Sequence, residues 1–137
     1  MEVKVTWSYT GPGEENLGFR RVLYAYLHPH SADVLYVGKA DYCTVNERLN
    51  GPHKQRIFSA IVNELGLSEI HAIVGTLHIP IARKFSSELL SDIESLLIMS
   101  LQPVFNRQAK QSRISRPGLA VKCTGDWPLT QKTFRDA

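Results

Sequence analysis

Tyr24 and Tyr36 stand twelve positions apart, in Val22-Leu23-Tyr24 and Tyr36-Val37-Gly38, and are followed along the chain by Arg48, His53, Glu94 and Asn106. These side chains are of the types needed to hold a phosphodiester, bind a divalent cation and activate water. A guanidinium matches paired phosphate oxygens. A carboxylate is a ligand for a hard cation that keeps most of its water. A phenol or an imidazole can position or move a proton. Taken singly, each has an ordinary structural explanation: a half-buried strand aromatic, a solvated helix arginine, an exposed histidine at a helix start, an asparagine that caps a turn. Six such residues in one order are not readily explained by six independent coincidences.

The elements that carry these residues can be read from local pattern. Arg21 to Leu27 alternates, with Val22, Tyr24 and Tyr26 on one side and Leu23, Ala25 and Leu27 on the other, and Val34 to Gly38 is a second β-branched and aromatic run. His28-Pro29-His30-Ser31-Ala32 reads as the turn between them. Folding back about His30 predicts Tyr24 opposite Tyr36, with Cβ atoms about 5 Å apart. Gly38, ending the second strand, leaves room for another group to approach closely. Thr44 and Glu47 have capping-box spacing, so Arg48 rides on a short helix that Gly51-Pro52 stops. His53 opens a helix to Leu65, and Ile70 to Ile79 predicts another strand. A longer helix begins at Ser86 or Ser87 and runs to about Leu101. On it Leu90, Glu94, Leu97 and Leu101 follow helical spacing, which sets Glu94 on or beside the apolar stripe. An ionised carboxylate there needs compensation. Val3 to Tyr9 and Leu119 to Lys122 are further candidate strands, and Trp127 a candidate packing anchor.

The chain has 137 residues, 43% hydrophobic and 21% charged, which suits one domain with its own core. No apolar run approaches membrane-spanning length and no signal-peptide pattern opens the sequence, so the expectation is a cytoplasmic protein without a membrane partner. Cys43 and Cys123 form no CxxC and read as reduced thiols. Residues 1–106 hold nine Lys/Arg against eleven Asp/Glu, whereas residues 107–137 hold seven against two. A basic end on a slightly acidic body suggests an extension that tracks phosphates through Arg107, Lys110, Arg113 and Arg116. The division expected is a domain over 1–106 and a basic C-terminal extension over 107–137, packed on it or trailing from it.

Together these residues resemble the GIY-YIG nuclease superfamily. Val22-Leu23-Tyr24 stands where the family has Gly-Ile-Tyr, and Tyr36-Val37-Gly38 where it has Tyr-Ile-Gly. Arg48 matches the arginine of the following helix, Glu94 the helix glutamate, and Pro103-Val104-Phe105-Asn106 the closing Pro-x-Phe/Tyr-Asn segment. The resemblance covers residues 21–108. Tyr36-Val37-Gly38-Lys39-Ala40 and the interval from Glu94 to Asn106 are most similar to the nuclease domain of bacterial excision-repair incision proteins. The chain departs from the pattern in lacking the first glycine, and Tyr26, on the same strand face as Tyr24, is an alternative first-motif tyrosine.

The resemblance implies an α+β fold in the order β-β-α-α-β-α, with a small three-stranded antiparallel sheet flanked by helices. It implies a metal-dependent endonuclease that hydrolyses DNA, with Mg²⁺ or Mn²⁺ on Glu94, and it allows for a homodimer. Arg48 would hold the scissile phosphate. Tyr24 would position or deprotonate water, helped by Lys39; Tyr36 would orient water or phosphate, His53 relay a proton and Asn106 orient its neighbours. The competing expectation is a module of the same fold that binds nucleic acid and has lost catalysis.

Overall fold

The computed structural model describes residues 1–107 and 116–136. The strands are β1 (Glu2–Thr10), β2 (Val22–Leu27), β3 (Val34–Ala40), β4 (His71–His78), β5 (Ala120–Gly125) and β6 (Thr133–Arg135). The helices are α1 (Val45–Leu49), α2 (Pro52–Leu65) and α3 (Ser87–Leu101), with a 3₁₀ turn over Glu15–Gly18. The class is α+β. The sheet, however, has six strands in the order β3-β2-β4-β1-β5-β6 rather than three. The antiparallel set β3-β2-β4 is extended by β1, which is antiparallel to β4 and parallel to β5, and by β6. The excess arises because β1 pairs with segments more than sixty residues away, which local periodicity cannot reveal.

Every residue of β2 is buried, because helices cover both of its faces. Leu23, Ala25 and Leu27 pack with Leu89, Leu90, Ile93 and Leu97 of α3. Tyr24 and Tyr26 pack with Tyr36, Ile61 and Phe105 on the α2 side. Val22 and Ala40 join Val45 of α1. β1 has only one inward face, through Val3, Val5 and Trp7. A flat sheet of this width would hold its edge strands about 24 Å apart, yet α3 touches β2 and β3 near one edge and β6 at the other. The sheet therefore curls around α3, which fixes the rotation of that helix and the direction of Glu94.

The helix ends follow their sequence signals. Thr44 and Glu47 form the reciprocal capping box of α1. Pro52 opens α2 and Gly66, with φ of +64°, closes it. Ser86 caps α3 by accepting from the Leu89 amide.

The described part of the basic end contributes to the core. Val121, Cys123, Trp127 and Phe134 lie in the main hydrophobic cluster. The Trp127 ring sits 5.2 Å from that of Trp7, and its Nε1 donates to the Gln131 carbonyl at 2.9 Å. Cys43 and Cys123 are free, and burial pushes the Cys123 thiol up to about 12, which makes it unreactive. Truncating Trp127 to Ala is expected to cost about 3–5 kcal/mol, read as a lowered urea midpoint. Retention of the wild-type midpoint would show that Trp127 is not a packing anchor.

Candidate active site

The hairpin of β2 and β3 pairs Tyr26 with Tyr36 and sets Tyr24 opposite Gly38. The expected facing of Tyr24 and Tyr36 is thus off by two residues. The turn closes through His28 N–H on the Asp33 carbonyl, and the register shifts beyond Tyr26, so the fold-back centre lies past His30. A slip of two preserves the face, and three phenol rings cluster, with centroids 5.9–6.2 Å apart. A Cβ at Gly38 would lie 2.5 Å from both Cζ and Oη of Tyr24. The bare backbone of Gly38 is what admits the Tyr24 ring.

Of the two candidate first-motif tyrosines, Tyr24 is the one that feels the charged groups. Arg48 and Glu94 both act on it, whereas Tyr26 feels chiefly its own burial and Tyr36 and stands edge-on to Phe58. Burial, then Tyr36 and Tyr26, push the Tyr24 phenol far above its usual range, and Tyr26 is pushed up to about 12. The Tyr24 hydroxyl is close enough to favour ionisation of Tyr36 slightly, yet it makes no hydrogen bond of normal geometry among the described residues. A phenol so placed is a poor base. Tyr24 fits a packing and orienting part better than proton removal.

Glu94 projects from α3 into the same place. Burial raises its carboxyl above the ordinary carboxylate range, opposed by Lys39, Lys54 and Arg48 in that order. Among the described residues it makes no salt bridge or hydrogen bond, so its oxygens are uncommitted. Arg48 comes from α1, and its Nε is likewise buried without a partner among the described residues.

Lys39 was expected to assist Tyr24. It follows Gly38 on β3 and so points to the α3 side, where Nζ donates to Ser91 Oγ. Its charge acts on Glu94 and is absent from the influences on Tyr24. The lysine that meets a phenol is Lys54, whose Nζ lies 2.6 Å from Tyr36 Oη. Burial and Arg48 lower the Lys54 pKa, with Glu94 opposing; burial and Glu94 raise that of Tyr36. Sequence reading passed over Lys54 in favour of its neighbour His53. The available signal was spacing: Lys54, Ile57 and Ile61 fall on one helical stripe, so this lysine lies on the packed side. His53, a third of a turn away, is exposed and lines a cleft of about 490 Å³ with Tyr36, Arg56, Ile57, Phe105 and Asn106.

Asn106 is buried and fully engaged. Its Oδ1 accepts from Val37 N–H and its Nδ2 donates to the Val37 carbonyl, both at 2.8 Å. It positions β3, one residue from Tyr36, and offers little to a substrate. Arg107 Nη2 donates to both carboxylate oxygens of Glu64, at 2.8 and 2.9 Å. Arg116 is bonded to Asp92 at 2.6 Å and lies 3.6 Å from Glu88. Both cations thus have protein partners, and Arg116 fastens the C-terminal segment to α3. Lys110 and Arg113 fall outside the described residues.

Among the described residues, no group of three His, Cys, Asp or Glu side chains converges as a metal cage. No helix there is long and apolar enough to cross a membrane.

The Glu94 carboxyl titrates above its unfolded value, so the stability linked to its proton is fully present below about pH 4.3 and is lost as pH rises through the raised folded value. Glu94→Gln is therefore expected to raise Tm at pH 7–8 by about 3 °C, with the gain fading towards zero near pH 4. A Tm difference that does not vary with pH would show that Glu94 is not desolvated. Comparisons of the chain with protein-family models, with curated proteins and with solved structures find no match.

Proposed function

We propose that this protein is a divalent-cation-dependent endonuclease of the GIY-YIG type, hydrolysing DNA phosphodiester bonds. The observation that carries the proposal is the convergence of Glu94, Arg48, Lys54 and Tyr36, which act on one another's charges, with Tyr36 also lining an open cleft. It is supported by the element order of β2, β3, α1, α2, β4 and α3.

The residues present suit a single hard cation. Glu94 is the one carboxylate in the cluster and its oxygens are free, and a Mg²⁺-like ion needs few protein ligands because it retains water and takes phosphate oxygens. Such an ion, Mg²⁺ or Mn²⁺, would neutralise charge on the leaving oxygen. Arg48 would hold the non-bridging oxygens, for which its unpartnered Nε is already in place. The Tyr36–Lys54 pair would handle the proton. With Lys54 in its neutral form, an attacking water passes a proton to Tyr36 Oη as the Tyr36 proton moves to Lys54 Nζ. Hydroxide then attacks phosphorus, and the bond to the leaving oxygen breaks. A lysine with a lowered pKa suits this part because a larger share of it is neutral near physiological pH. Tyr24 and Asn106 keep β2 and β3 in place, and His53 stands at the cleft mouth.

Supercoiled plasmid and defined oligonucleotides incubated with Mg²⁺ or Mn²⁺ should be cut by the wild type. Glu94→Gln and Arg48→Ala should each lower the rate at least about 100-fold. Equal cleavage by all three would reject this site; DNA binding with no cleavage by the wild type would favour a module that has lost catalysis. The rate should also rise with pH until Lys54 is neutral, a limb that Lys54→Met should abolish. An unchanged pH profile in that variant would exclude Lys54 as the proton acceptor.

A further inference from the structure

An aromatic side chain stands open to solvent beside the first turn of α3. Tyr42, in the loop between β3 and α1, is 83% exposed. It is nonetheless held in place. Its hydroxyl is hydrogen-bonded to Ser87 Oγ at 3.0 Å, and its carbonyl accepts from Arg20 Nη1 at 3.2 Å. Arg20 also pairs with Glu47 at 3.6 Å, an exposed contact. Next to it Arg21 has φ of +58°, rare for a side-chain-bearing residue, and its guanidinium lies 5.1 Å over the Phe85 ring. The exposed ring is thus held between the first residue of α3, through its hydroxyl, and Arg20, through its backbone.

The ring has a definite relation to the site. Ser87, Ser91 and Glu94 form one row on α3, at i, i+4 and i+7. Tyr42 bonds the first and Lys39 the second, while Glu94 belongs to the charged cluster. Ser87 and Glu94 are thus about 10 Å apart along the helix, the scale of a few nucleotides. A fixed, exposed aromatic face is what stacking of an unpaired base requires; bases within a duplex keep their faces covered.

We infer that Tyr42 is a stacking platform for an unpaired base a few nucleotides from the scissile phosphate, so that the substrate class is nucleic acid with a single-stranded segment beside the cut. The inference rests on the nuclease reading for the position of the phosphate, and its test is independent of cleavage. Single-stranded 12-mers carrying 2-aminopurine at each position in turn, and a blunt duplex of the same sequence, are titrated in EDTA. The wild type should bind the single strand more tightly than the duplex and quench 2-aminopurine at one or two adjacent positions. Tyr42→Ala should weaken single-strand binding about tenfold and remove the quench. Tyr42→Phe, which loses the Ser87 hydrogen bond and keeps the ring, should retain most of both. The exposure of Tyr42 makes loss of folding on truncation unexpected, and circular dichroism checks it; Tyr42→Ser repeats the truncation with a polar side chain. Wild-type binding by Tyr42→Ala, a preference for the duplex, or no quench at any position would overturn the inference. Binding and quenching by a wild type that never cleaves would instead defeat the nuclease reading and leave the platform standing.

Discussion

A desolvated carboxylate among cations governs this structure. Glu94 stands on α3 near Lys39, Lys54 and Arg48, and burial still wins over their combined attraction and lifts its pKa. Counted as formal charges, these four groups carry an excess of two positive units. Such an excess in a partly buried place is unfavourable until an anion arrives. The arrangement is thus suited to a group that brings negative charge and oxygen ligands together, which a phosphodiester does.

The fold supplies what the cluster needs through three constraints. The sheet wraps α3 and sets its rotation, so Glu94 faces the β2–β3 hairpin. Gly38 gives up its side-chain volume to the Tyr24 ring, which keeps the phenols together on the α2 side. Packing of Ile57 and Ile61 against that face turns Lys54 inward to Tyr36. None of these depends on the identity of a reacting group, and each is a matter of volume and burial. The chemistry is laid over a scaffold of apolar contacts made by neighbouring residues on the same elements.

Much of this could be read from the sequence because it is local. The capping box at Thr44 and Glu47, the proline start of α2, the serine cap of α3 and the stripe carrying Glu94 each lie within a few positions of one another. The hairpin was legible as an element, but its register was not: the bulge beyond Tyr26 moved the pairing by two residues, and only the period of the strand kept the tyrosines on the intended face. The extra strands were only partly legible. β1 and β5 showed as apolar runs, but the sequence gives no sign that they pair in parallel across the chain. The charge count misled in a different way. Arg107 and Arg116 read as free cations, whereas Glu64 and Asp92, distant in sequence, take them as partners. Lys54 was hidden by its neighbour, since an imidazole draws attention to chemistry and an ammonium suggests a solvated face.

The Asn106 side chain has a bearing on how copies of this molecule meet one another. β3 is the outer strand of the sheet, and Val37 at its middle would otherwise present both its amide and its carbonyl sideways. One carboxamide takes up both groups, doing for that residue what a further strand would do. An exposed edge is a template for another chain to zip onto, and here its central rung is already occupied. A second chain could not continue the ladder through that residue, while the cleft beside it stays open.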